Sequence, residues 1–227
     1  WVGTSMGGII GMMLEAGGPM IINKLVLNDI GALVPKEGLQ RLGKYVGIKT
    51  EFSNLTDAED SVKEHLETFG IRNDYIWNHV FEHSIEKTDN GKFRLTYDPA
   101  IGDPFKSKKA DLRSMPDIDL WGIWNCLTCP TLIIRGEESD LLRKDTVKEM
   151  QKRDSKVDTH EIRDVGHAPS LMEEYQIKIV ADYLAVNLID KIFTNPNYYS
   201  GLEVVFGLFG YSLQIYMDFS GYTDMAI

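Results

Sequence analysis

The sequence has few cysteines, an excess of acidic over basic residues, and no signal-peptide pattern at its start. Cys126 and Cys129 are the two cysteines in 227 residues, and they form a lone C-x-x-C. Without a second cysteine pair or a nearby histidine pair, we expect no zinc site or other metal, and no cofactor. Isolated cysteines without a signal peptide favour a reducing, cytoplasmic location for the larger part of the chain.

The charge balance limits the class of partner. Lys and Arg number 24 against 34 Asp and Glu, which gives a formal net charge of -10. Nucleic-acid binding needs a basic face that neutralises phosphates. We therefore expect no nucleic-acid partner, and the partner of the candidate site below is expected to be a small molecule.

The most informative motif lies at the start of the chain, where Gly3, Ser5 and Gly7 form a G-x-S-x-G pattern. This pattern is typical of a tight turn from a strand into a helix, with a serine held in strained backbone geometry at its apex. A Cβ at either flanking position is expected to clash, which would require both glycines. The backbone N–H of Met6 is then placed to stabilise a developing oxyanion. A solvated serine in a glycine-rich turn is the alternative for so short a motif.

The apolar runs at 24–30, 130–136 and 159–165 are predicted buried strands, each followed by a polar loop. With helices between them, they predict a mostly parallel sheet flanked by helices, an α/β fold. Asp140 and His167 follow the second and third of these strands, which gives the chain order Ser, Asp, His. Asp29, after the first strand, is the alternative acid. Asp140 is favoured because its spacing from Gly136 lets the carboxylate reach the histidine loop.

Between about 31 and 119 the sequence has helical periodicity and no strong buried strand, so we predict a mostly helical lid. Aromatic residues within and just beyond this lid could line a substrate pocket, although such side chains more often pack in a core. The candidate pocket residues are Trp77, Tyr97, Trp121 and Trp124.

Residues 1 to about 190 resemble the C-terminal two-thirds of an α/β-hydrolase-fold serine hydrolase. The resemblance rests on Gly3–Gly8 as nucleophile elbow, on Arg135–Asp140 as acid loop and on Val165–Pro169 as histidine loop. It implies that Ser5 is the nucleophile, His167 the general base, Asp140 the orienting acid and the Met6 N–H an oxyanion donor. An acyl compound is the implied substrate, with esters favoured and amide, thioester and C–C hydrolysis left open.

The chain departs from this family because the early strands and the loop that supplies a second oxyanion N–H do not precede Ser5. We therefore expect an N-terminal truncation and little activity from the 227 residues alone. The predicted domain division is 1–191 for the hydrolase portion and 192–227 for a tail.

The tail differs in composition, with no Lys or Arg after Lys191. The run from Tyr211 to Ile227 resembles the membrane-bound O-acyltransferase (MBOAT) family, of the alginate O-acetyltransferase kind. This resemblance implies an apolar helical fragment and a membrane contact through 198–227, although Val204–Met217 is short for a spanning helix. A membrane-associated acyltransferase fragment, or an inactive fusion of two gene fragments, is therefore the alternative to a serine hydrolase.

Overall fold

A computed structural model describes residues 1–18, 22–47, 51–106, 116–194, 196–198, 200–201, 204–205 and 208 of the chain. The chain divides into two compact units, Trp1–Pro169 and Ser170–Ile227. The candidate site lies entirely within the first unit, which is described first.

The first unit is organised around a four-stranded parallel sheet. Its strands are β1 (Val2–Thr4), β2 (Leu25–Asn28), β8 (Thr131–Gly136) and β9 (Val157–Ile162), in the spatial order β1-β2-β8-β9. Leu27 pairs with Gly3 on one side and with Ile133 on the other, so β2 is a central strand. All residues of β2 and β8 are buried, as expected for parallel strands covered on both faces.

This topology confirms the predicted α/β architecture, with strand ends shifted by up to three residues from those expected. Parallel strands bring their carboxyl ends to one edge of the sheet, which is where ligands bind in open α/β folds. The loops after β1, β2, β8 and β9 therefore meet at this edge, and each carries one of the candidate site residues.

Helices cover the sheet and complete the core. Met12 of the first helix packs with the strand residues Leu25, Leu27 and Ile133 in one buried cluster that also includes Met150. Each fully buried side chain of this size contributes roughly 1.5–3 kcal/mol through removal from water. The longer helices of the unit are α1 (Met6–Ala16), α2 (Lys36–Leu42), α3 (Leu55–Leu66), α4 (Asp74–Ser84) and α7 (Lys144–Arg153), and the short ones are α5 (Asp103–Lys106) and α6 (Trp121–Trp124).

The lid, residues 31–119, is less purely helical than the sequence predicts. Beside α2, α3 and α4 it contains five short strands: β3 (Leu33–Val34), β4 (Glu51–Phe52), β5 (Ile85–Lys87), β6 (Phe93–Leu95) and β7 (Ile118–Asp119). Three of them form an antiparallel sheet in the order β4-β6-β5, and β3 pairs with β7. Strands of two or three residues are too short to show a period-2 pattern, which is why the sequence gives no sign of them.

Among the described residues of the second unit, most belong to α8, which runs from Glu174 to Thr194 and so continues through the predicted domain boundary at 191. The MBOAT-like run at 211–227 lies outside the described residues. Among the residues that are described, no helix is both long enough and apolar enough to cross a membrane.

Candidate active site

Ser5 lies at the turn between β1 and α1 in a strained backbone conformation, with φ of 50° and ψ of -117°. Its N–H donates to the carbonyl of Asn28 at 3.0 Å, which fixes the turn against the neighbouring strand. A positive φ costs a non-glycine residue on the order of 1–3 kcal/mol, so its presence here indicates a functional constraint. The geometry is that of a nucleophile elbow.

The two flanking glycines are not equivalent, which corrects the expectation that both are sterically required. A Cβ at Gly3 would lie 2.4 Å from the backbone carbonyl of Gly7, so Gly3 permits the close approach of strand and helix. A Cβ at Gly7 would meet no atom within 4 Å. The steric requirement therefore falls on the glycine before the serine.

His167 lies beside Ser5, as predicted. Its Nε2 is 3.0 Å from Ser5 Oγ, and the histidine is 6% exposed. Two hydrogen bonds hold its loop against the lid: Thr68 Oγ1 donates to the His167 carbonyl at 2.9 Å, and Gly166 N–H donates to the Thr68 carbonyl at 2.8 Å. Thr68 thus joins the backbone of the histidine loop to the lid.

The carboxylate that contacts His167 belongs to Asp29. Its Oδ2 is 2.7 Å from His167 Nδ1, and Asp29 is completely buried. Two further donors hold this carboxylate, since Gly136 N–H reaches Oδ1 at 2.8 Å and Ser139 Oγ reaches Oδ2 at 2.5 Å. Three donors in a buried place compensate for the loss of hydration of a carboxylate.

Asp140 does not contact His167, and this differs from the favoured prediction. Its two oxygens accept a bidentate pair of hydrogen bonds from Arg41 of α2, at 2.6 and 2.8 Å. Ser139, one residue earlier, faces Asp29 instead. The physical reason for the difference is that a lid arginine 99 residues away holds the Asp140 carboxylate. The Asp29 carboxylate is instead held by Gly136 N–H and Ser139 Oγ in contact with the imidazole.

The pairing of Arg41 with Asp140 also perturbs the titration of both groups. The hydrogen bonds from Arg41 lower the pKa of the Asp140 carboxyl, and those to Asp140 raise the pKa of Arg41. Arg41 also donates to Tyr45 Oη at 2.7 Å, while burial raises the pKa of Tyr45. These three residues form a polar cluster that the sequence does not predict, because no local spacing links Asp140 to Arg41 and Tyr45.

Asn28 connects three of the loops that form the site. Its Nδ2 donates to Thr4 Oγ1 at 3.0 Å and to the Pro169 carbonyl at 2.8 Å, while its own carbonyl accepts from Ser5 N–H. Asn28 is fully buried. It therefore joins the serine loop to the histidine loop from the residue just before Asp29.

A cavity of about 520 Å³ opens at Ser5 and His167 and is lined mainly by lid residues. Apolar side chains such as Leu42, Val62 and Phe69 make up much of its wall. Met6 also lines it, and its N–H lies at the first residue of α1, where a backbone N–H has no acceptor within the helix. The cavity thus combines an apolar wall with a donor beside the serine hydroxyl.

Of the four aromatic residues predicted to line a pocket, Tyr97 lies on the cavity wall and the three tryptophans do not. Trp77 stacks on Phe81 with 5.6 Å between ring centroids. Trp124 is buried in the core, and the guanidinium of Arg153 lies 4.0 Å from the ring centroid of Trp121. Trp124 thus packs in the core, whereas Trp77 and Trp121 are half-buried outside this cavity.

The structure offers no evident metal-binding cluster in the described ranges: no group of three or more His, Cys, Asp or Glu side chains is arranged to hold an ion there. The Ser5, His167 and Asp29 side chains form a chain of two hydrogen bonds instead. Such an arrangement can transfer a proton from the hydroxyl to the imidazole while the carboxylate fixes the ring.

The chain is similar to proteins of known activity and structure. The 3-hydroxybutyrate-oligomer hydrolase of Cupriavidus necator is 32% identical over 186 residues, which are 81% of this chain and 64% of that protein. A solved structure from Rickettsia typhi is 36% identical with a TM-score of 0.73, and the match covers 81% of this chain and 61% of that one. An α/β hydrolase structure from Novosphingobium aromaticivorans is 31% identical with a TM-score of 0.68, and the match covers 81% of this chain and 64% of that one.

The chain thus spans less than two-thirds of the length of these relatives. No protein-family model matches it, so the resemblance of 192–227 to the MBOAT acyltransferases has no support and stays a prediction. The parallel sheet, the elbow at Ser5 and these structural neighbours together show that the chain has the α/β-hydrolase fold.

Proposed function

We propose that the protein is a serine hydrolase of carboxylic esters, with Ser5 as nucleophile, His167 as general base and acid, and Asp29 as the acid that orients the imidazole. One observation carries the proposal: Ser5 Oγ lies 3.0 Å from His167 Nε2, and His167 Nδ1 lies 2.7 Å from Asp29 Oδ2. These distances are within the range required of a nucleophile and its base.

The proposed reaction follows from these contacts. His167 Nε2 takes the Ser5 proton as Oγ bonds to the ester carbonyl carbon, and the carbonyl oxygen becomes an oxyanion that accepts from the Met6 N–H. The intermediate then expels the alcohol, which receives its proton from Nε2. Water, deprotonated by the same imidazole, attacks the acyl-enzyme and releases the carboxylic acid with Ser5 restored.

The cavity supports a substrate with a modest apolar acyl chain. Its volume of about 520 Å³ and its apolar wall suit a small organic acyl group better than a polymer surface. The named activity of the Cupriavidus necator relative, hydrolysis of 3-hydroxybutyrate oligomers, favours short hydroxyacyl esters as the substrate class of this chain.

Hydrolysis of p-nitrophenyl acetate, butyrate and octanoate by the purified protein tests the proposal. We expect the Ser5→Ala variant to lose about a thousandfold or more in kcat. Ser53→Ala, in an exposed loop of the lid, is the matched control and should retain full activity. Ester hydrolysis that is equal in Ser5→Ala and wild type would refute the mechanism.

A further inference from the structure

His65 of α3 is a second histidine in the cavity that contains Ser5 and His167. Its Nδ1 lies 2.5 Å from the Ser61 carbonyl oxygen, one turn earlier in the helix. A carbonyl can only accept, so the proton of the neutral imidazole must be on Nδ1. Its Nε2 is then an acceptor, and the structure gives that atom no hydrogen-bond partner in the described part of the chain.

Tyr45 lines the same cavity and provides the opposite hydrogen-bonding capacity. Its Oη accepts from Arg41 Nη1 at 2.7 Å, so the phenolic proton is free to be donated elsewhere. Arg41 is itself fixed by the bidentate contact with Asp140, which holds the tyrosine oxygen in place.

The two rings contact each other directly. Their centroids lie 5.3 Å apart at an interplanar angle of 75°, an edge-to-face arrangement. A donor and an acceptor are therefore presented side by side on a wall that is otherwise mainly apolar. An alcohol matches such a pair, because one hydroxyl both accepts and donates a hydrogen bond.

We propose that Tyr45 and His65 form a hydroxyl-binding subsite that selects hydroxyacyl esters over the same esters without the hydroxyl. The substrate hydroxyl accepts from Tyr45 Oη and donates to His65 Nε2. Removing the hydroxyl leaves both protein groups unpaired in a partly buried place, which penalises the unsubstituted ester. This inference rests on the proposed ester hydrolysis at Ser5 and specifies its substrate class.

The test compares kcat/KM for ethyl 3-hydroxybutyrate with kcat/KM for ethyl butyrate. Hydrolysis is measured from the protons that the carboxylic acid product releases. In the wild-type protein we expect a preference of about tenfold for the hydroxy ester, from two hydrogen bonds. His65→Phe keeps the ring contact with Tyr45 but removes the acceptor, and should reduce the preference to about twofold. His65→Gln, which restores an acceptor, should recover part of it.

Two further measurements separate the partners. Ethyl 3-oxobutyrate can accept from Tyr45 but cannot donate to His65, so Tyr45→Phe should reduce its kcat/KM more than His65→Phe does. His79→Phe is the matched control, because His79 is exposed on α4 away from the cavity, and it should keep the wild-type preference.

The outcomes distinguish this subsite from the proposed chemistry. The first outcome is that Ser5→Ala abolishes hydrolysis while the ratio of kcat/KM for ethyl 3-hydroxybutyrate to that for ethyl butyrate is the same in wild type, His65→Phe and His79→Phe. In that case the proposed subsite is wrong and the proposed mechanism stands. If Ser5→Ala hydrolyses both esters as fast as wild type does, the proposed function itself fails. A wild-type ratio near one also overturns the subsite.

Discussion

The carboxylate of Asp29 contacts Nδ1 of His167 at 2.7 Å, although 138 residues separate the two in the chain. The acid follows β2, the strand adjacent to the one that carries Ser5, while Asp140 follows β8. Both loops end at the same edge of the sheet. Which carboxylate orients the histidine is therefore decided by the contacts of the side chains and not by strand order alone.

Asp29→Asn should reduce kcat for ester hydrolysis by about 10³–10⁴-fold, because the amide cannot hold the imidazole in the tautomer that accepts the Ser5 proton. Asp140→Asn, the matched substitution, should cost less than about tenfold, since Asp140 is bound to Arg41. The measurement is kcat with p-nitrophenyl butyrate at neutral pH. A larger loss of kcat in Asp140→Asn than in Asp29→Asn would show that Asp140, the acid favoured by the sequence, is the one that orients His167.

Gly3→Ala should destabilise the protein by about 2 kcal/mol or more, because the new Cβ would overlap the backbone of Gly7 at 2.4 Å. Gly7→Ala adds a methyl group in open space within α1 and should be neutral or stabilising by up to about 1 kcal/mol. Urea unfolding of both variants gives the two free energies. Equal destabilisation by the two substitutions would contradict the elbow geometry described here.

The sequence predicts the strands, the elbow serine and the histidine because each depends on local signals. Apolar runs indicate the strands, and the G-x-S-x-G spacing indicates the turn at Ser5. The contact of Arg41 with Asp140 depends on how the lid folds back, and no periodicity or motif encodes it. The sequence does not predict the strands β4, β5 and β6 for a different reason. Each has only two or three residues, which is too few to show the alternation of apolar and polar side chains that indicates a strand.

Thr68→Val should weaken both stability and activity, because it removes the hydrogen bond from the lid to the His167 carbonyl at 2.9 Å. We expect a loss of about 1 kcal/mol in the free energy of unfolding and a fall of a few fold in kcat. Thr88→Val removes a similar hydroxyl-to-carbonyl bond, to Lys92, in an exposed turn and should leave kcat unchanged. If both variants have the wild-type kcat, Thr68 does not position the histidine loop.

Asp140→Asn should also change how stability depends on pH. Because Arg41 lowers the folded-state pKa of Asp140 below its ordinary value of 3.8, the pair stabilises the protein above that pH. The contribution is lost as pH falls through the lower folded-state value. Both side chains are about one-third exposed, so we expect the pair to contribute only about 0.5–1 kcal/mol to the free energy of unfolding at pH 7, and less in high salt.

Urea unfolding of wild type and Asp140→Asn from pH 7 to about pH 3 should show that the difference between their free energies of unfolding shrinks as the pH falls. Asp164→Asn, whose ion pair with Arg72 is longer and more exposed, is the control and should show a smaller difference. If the difference in free energy of unfolding between wild type and Asp140→Asn stays constant across this pH range, Asp140 does not stabilise the protein through its ion pair with Arg41.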